Sequence, residues 1–81
     1  MIKFLKVQLS ASNKKLYTYK VPPGLEFPMG CLVVIPLGDK DELVVARVIA
    51  PDPRPTIGIK YKYIVCQVDL TKYLEATREG V

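Results

Sequence analysis

The sequence predicts an all-β protein, a small five-stranded antiparallel barrel or curled sheet with one short helical turn at the C-terminal end. Three observations lead there. Apolar segments of strand length, rich in Val, Ile, Leu and Tyr, recur along the chain. Clusters of proline and glycine separate them. Helical periodicity is confined to the residues after Asp69.

The elements follow in order. Ile2 to Leu9 is rich in strand formers, with Leu5, Val7 and Leu9 on one face and Lys6 and Gln8 on the other. Ser10 to Lys15 reads as a polar loop. Leu16 to Val21 alternates again, placing Tyr17, Tyr19 and Val21 opposite Thr18 and Lys20. Pro22-Pro23-Gly24 ends this strand, because proline donates no ladder hydrogen bond. After Pro28-Met29-Gly30, the apolar run Cys31 to Ile35 suits a strand buried on both faces, closed by Pro36. Gly38 to Glu42 reads as a hairpin loop, and Leu43 to Ala50 as the returning strand. Pro51-Asp52-Pro53-Arg54-Pro55 is a stiff linker hostile to helix. Ile59 to Val68 is the last strand. Asp69 then caps a helical turn whose apolar side is Leu70, Tyr73 and Leu74. OB-like and SH3-like barrels both fit this pattern.

The 81 residues, with 49% hydrophobic and 25% charged side chains, describe a single globular domain spanning 1–81. A chain of this size buries only roughly 60% of its unfolded surface, which leaves little room for a deep catalytic cleft. The sequence has no histidine, so the commonest general base and zinc ligand are both missing. It has no phosphate-binding glycine loop and no GxSxG motif either. We expect a protein that is not an enzyme, with no cofactor and no metal; Asp39, Asp41 and Glu42 read as a solvated hairpin tip. Cys31 and Cys66 read as reduced, buried thiols, with a disulfide between neighbouring strands as the alternative. Lys3, Lys6, Lys40 and Arg47 interrupt the apolar segments, so neither a membrane span nor a signal peptide is read, and a soluble, cytoplasmic protein is expected, away from the membrane.

Charge is informative once located. The net charge is +4, and five lysines with no acid fall between Met1 and Gly24. A second basic block, Lys60 and Lys62, lies far along the chain. Both blocks interleave lysine with tyrosine, as Tyr17-Thr18-Tyr19-Lys20 and Lys60-Tyr61-Lys62-Tyr63. Lysine on phosphate beside aromatic rings for base stacking is the footprint of single-stranded nucleic-acid binding. Against this stands strand geometry, which turns Tyr61 and Tyr63 away from Lys60 and Lys62 and lets any of these tyrosines serve the core instead.

The ordered set Tyr17-Thr18-Tyr19-Lys20-Val21-Pro22, Gly24, Gly30-Cys31, Val33 and Ile35-Pro36-Leu37-Gly38, followed by an apolar strand, resembles the 3′-end DNA-binding domain at the N-terminus of primosomal protein PriA, the replication-restart helicase. The resemblance covers roughly Val7 to Asp69. It implies an OB-like barrel that recognises the 3′-hydroxyl end of a nascent strand at a fork. By this likeness Tyr17 lines the terminal-nucleotide pocket, Tyr19 follows it, Gly38 lets backbone approach the terminal base, and Lys62 contributes to the same pocket. Two positions depart from the pattern. Thr18 stands where an acidic residue is found between the aromatics, and Leu37 where phenylalanine is expected. The 81 residues hold no P-loop, DEAD-type motif or zinc-binding cysteine set, so they are not expected to translocate DNA.

The function expected is therefore non-catalytic binding of single-stranded or forked DNA near a 3′ terminus, in replication or replication restart. Tyr17, Thr18, Tyr19, Gly38 and Lys62 form the site, and Lys20 and Lys60 give secondary phosphate contacts. Partners implied by the resemblance are replication proteins such as a helicase or a single-stranded-DNA-binding protein. Two other readings stay open: a protein–protein adaptor that uses a sheet edge, and a small RNA-binding barrel.

Overall fold

Alternating apolar and polar side chains in the first two segments pair them as an antiparallel hairpin, β1 (Phe4–Ser10) and β2 (Asn13–Lys20). The computed structural model describes residues 2–10 and 13–68. A second hairpin joins β3 (Leu32–Leu37) to β4 (Glu42–Pro51), and β5 (Cys66–Gln67) is a two-residue edge strand. The five form one sheet in the order β2-β1-β4-β3-β5, with every ladder antiparallel.

The all-β class and the five antiparallel strands agree with expectation; the closed OB-like barrel does not. β2 and β5 share no ladder, and one isolated parallel bridge, Lys20 to Tyr63, crosses the gap between the ends of the sheet. The reason lies in the segment read as a single strand from Ile59 to Val68. Its first part leans on β2, where the Lys20 amide donates to the Lys62 carbonyl and the Ile64 amide to the Lys20 carbonyl. Its second part leans on β3, where the Val65 and Val68 amides donate to the carbonyls of Val34 and Leu32. Divided between two partners, it forms a ladder only at Cys66–Gln67. The helical turn expected from Asp69 lies outside the described residues.

Smaller corrections have simple causes. β2 starts at Asn13, so Asn13 to Lys15 belong to a strand and not to the polar loop, with Ser10 paired to Asn13. Pro36 does not close β3; it pairs with Leu43 inside the hairpin, and the strand runs on to Leu37. The turn comes at Gly38 and Asp41, both at positive φ. Cys66 is exposed on the edge strand and Cys31 half-buried, and both are free thiols, so neither the buried pair nor a disulfide is formed.

The core gathers alternate residues of the strands: Leu5 and Val7, Tyr19, Val33 and Ile35, Ala46 and Val48, joined by Val21, Phe27 and Ile64. Phe27 closes the core from the loop between β2 and β3, and Ile64 closes it from the segment that spans the gap. Fully burying one such aliphatic side chain contributes about 1.5–3 kcal/mol. The opposite face is barely covered: Leu43 and Val45 of β4 remain exposed.

One irregularity matters for the site. β1 pairs Lys6 with Ala50 but Val7 with Val48, leaving Ile49 as an extra residue in β4. The alternation of β4 reverses there. Ala50 consequently shares the outward face with Lys6 and with Thr18, which pairs with Lys6 from the other side.

Candidate nucleic-acid interface

The edge of β2 and the incoming segment before β5 border a shallow, open cleft of about 370 Å³, lined by Leu16, Tyr17, Thr18, Tyr19, Thr56, Ile59, Lys60, Tyr61 and Lys62. The fold thus joins the two Lys/Tyr blocks that lie more than forty positions apart in the sequence. Four of the five expected site residues, Tyr17, Thr18, Tyr19 and Lys62, line this cleft together with Lys60. Gly38 adjoins it, because the Lys62 ammonium donates to the Gly38 carbonyl at 2.6 Å. Lys20 is placed elsewhere, with its ammonium 4.2 Å from the centre of the Tyr63 ring.

The side chains have distinct situations. Tyr17 is half-buried, packed on the rim of the core, with the Lys15 ammonium 5.0 Å from its ring centre. The lysine makes a cation–π contact with one face of this ring. Tyr19 is a core residue, 6% exposed. Its hydroxyl donates to the Pro36 carbonyl at 2.5 Å. Burial pushes the Tyr19 phenol above its ordinary pKa and outweighs the Lys62 ammonium, which pulls the other way.

Lys62 contacts the Asp41 carboxylate at 2.5 Å as well as the Gly38 carbonyl. That hydrogen bond is the main cause holding the ammonium above the ordinary lysine pKa, so Lys62 is fully charged at neutral pH. Gly38 serves both hairpin and site: its carbonyl also accepts from the Asp41 amide, and its φ of 77° suits glycine. Lys60, Tyr61 and Lys62 all face one cleft, contrary to the strict alternation expected of a strand, because these residues belong to no ladder. Tyr61 is fixed by a hydrogen bond to the Thr56 carbonyl and by edge-on contact with Phe4.

Sequence reasoning missed two carboxylates. Asp41 was read as part of a solvated tip; its left-handed backbone (φ 50°) turns it back toward Lys62. Asp52 was read as part of a stiff linker, yet its carboxylate accepts the Thr18 hydroxyl proton at 2.8 Å. A signal for Asp52 existed in Asp-Pro-Arg, a sequence in which an aspartate readily caps its own turn. No signal places it beside Thr18, which is 34 residues away.

A family model described as the 3′ DNA-binding domain (3′BD) of PriA matches residues 6–78. No curated protein and no solved structure matches the chain.

Proposed function

As the chain belongs to the PriA 3′ DNA-binding domain family, we propose that it binds the 3′-terminal nucleotides of single-stranded DNA in the cleft between β2 and residues 59–62, without catalysis. The observation that carries this reading is the convergence of Tyr17, Lys60 and Lys62 on one cleft from two distant blocks. Tyr17 offers a ring face to a base, and Lys60 and Lys62 offer cations to the phosphates that follow. Tyr19 lies behind the cleft, and its hydroxyl ties β2 to the end of β3 without pointing at the ligand.

The context proposed is replication or replication restart, in the cytoplasm, with a helicase or a single-stranded-DNA-binding protein as partner. The exposed Leu43 and Val45 of β4 support a protein contact on the face away from the core.

Fluorescence anisotropy tests the reading, with the full chain and labelled oligonucleotides titrated at low and moderate salt. Binding that weakens with salt and favours a free 3′ end over a blocked one is expected. Equal binding of blocked and free ends overturns end recognition, and no binding at low salt overturns the DNA reading altogether. Tighter binding to RNA of the same sequence would favour 2′-hydroxyl contacts instead.

A further inference from the structure

The hydroxyl of Thr18 has one proton, and the structure shows where it goes. Thr18 Oγ1 donates to Asp52 Oδ2 at 2.8 Å. A hydroxyl whose proton is committed to a carboxylate has only its lone pairs left to offer, so to any ligand in the cleft it is an acceptor. Asp52 is itself held on several sides. Its Oδ1 accepts from the Arg54 amide at 3.3 Å, and its own amide donates to the Phe4 carbonyl at 2.9 Å. The extra residue at Ile49 is what puts the end of β4 on the face that Thr18 occupies. The arrangement is therefore fixed before a ligand arrives, and it presents negative character at one point of a cleft whose charged lining residues are Lys60 and Lys62.

We infer that Asp52 is a specificity-determining residue of this site: acting through Thr18, it selects a terminus that donates a hydrogen bond, a free sugar hydroxyl, and rejects one that ends in phosphate. The inference rests on the proposed DNA-binding reading and adds to it the group that tells one kind of end from another. Asp52 is a positioning residue, because it acts on the ligand through the threonine. A hydroxyl end donates to Thr18 Oγ1, whose acceptor strength the carboxylate raises. A phosphate end is mostly dianionic at neutral pH and meets the Asp52 charge instead. Asparagine at position 52 lacks the charge and can itself donate to Thr18, which frees the threonine proton to point at the ligand. The polarity of the contact then becomes indifferent.

The test uses three otherwise identical oligonucleotides ending in a 3′-hydroxyl, a 3′-hydrogen or a 3′-phosphate, titrated by anisotropy against the wild-type chain, Asp52→Asn and Thr18→Val. The wild type should bind the hydroxyl end about tenfold more tightly than the hydrogen end, the worth of one such hydrogen bond. Asp52→Asn should lower that ratio to about threefold, because a hydrogen bond without charge assistance survives at Thr18, and should tighten binding of the phosphate end most of the three. Thermal melting of each variant confirms folding, and Thr18→Val, which removes the acceptor itself, should lose the same ratio if Asp52→Asn does not fold. The inference is overturned if folded Asp52→Asn, or in its place Thr18→Val, keeps the wild-type ratio, or if Asp52→Asn weakens all three ends alike. A wild type that binds every end equally removes end recognition and this inference together; a wild type that binds none removes the DNA reading.

Discussion

Replacing Tyr19 by Phe removes one hydroxyl from a ring that is 6% exposed and leaves the apolar packing in place. What is lost is the 2.5 Å hydrogen bond to the Pro36 carbonyl, in part-buried surroundings. Removing one partner of such a bond costs roughly 1–2 kcal/mol, since the carbonyl left behind is poorly solvated. In a domain of this size about 1.5 kcal/mol lowers the melting temperature by roughly 6–12 °C. DNA affinity at a temperature where the variant is folded should stay at the wild-type value, because the hydroxyl points at Pro36 and not into the cleft. Alkaline titration supplies a second signature. Burial holds the Tyr19 pKa above its ordinary 10.0, so the folded state binds the phenolic proton more tightly than the unfolded chain does. That contribution is complete below the ordinary value and is lost as pH rises through the raised one, so wild-type stability should fall above about pH 10. Tyr19→Phe should lack this part of the fall. Circular-dichroism melts across pH and anisotropy at neutral pH decide the matter. A variant that melts with the wild type yet loses affinity tenfold would refute the reasoning, since the hydroxyl would then be touching DNA.

Further outcomes concern the rim of the cleft. Tyr17→Ala should weaken single-stranded DNA binding by about 1–3 kcal/mol in anisotropy, the usual worth of one base stacked on an aromatic ring. Lys62→Ala should lower the slope of log affinity against log salt by about 0.7, the share of one phosphate contact on a single strand. Asp41→Asn should act in the opposite sense to Lys62→Ala and tighten binding at low salt, because Asp41 occupies the ammonium that a phosphate would otherwise meet; unchanged or weaker binding there would remove Lys62 from the interface.

Much of the fold was legible because side-chain alternation reports burial directly. Leu5, Val7, Tyr19 and Val21 sit in the core as alternation requires, whereas the run Cys31 to Ile35, read as buried on both faces, buries only Val33 and Ile35 and leaves Leu32 and Val34 half-buried. Pro36 misled because a proline that ends a strand and one inside a hairpin look the same in sequence. The stretch from Ile59 to Val68 misled because strand-forming composition does not say how many partners a strand will have. The resemblance located Tyr17, Thr18, Tyr19, Gly38 and Lys62, and the fold brings them to one end of β2 or beside it. It did not reveal that Tyr19 is a packing residue, or that Lys20 rests on Tyr63. The carboxylates were illegible for a different reason. Asp41 depends on a left-handed turn, and Asp52 on an extra residue three positions earlier that reverses which face the strand presents. Neither effect leaves a periodic trace.

The meeting of the two sheet ends at Lys20 and Tyr63 has a thermodynamic corollary. The wall that carries Lys60 and Lys62 belongs to the chain on one side of that junction, and the wall that carries Tyr17 belongs to β2 on the other. A nucleotide in contact with both is a ligand of the joined state alone. Its binding free energy therefore adds to the few backbone hydrogen bonds that hold the ends together, and whatever loosens the junction weakens the ligand by the same factor. On the proposed reading, binding a strand in this cleft and holding the junction at Lys20 and Tyr63 are one linked equilibrium.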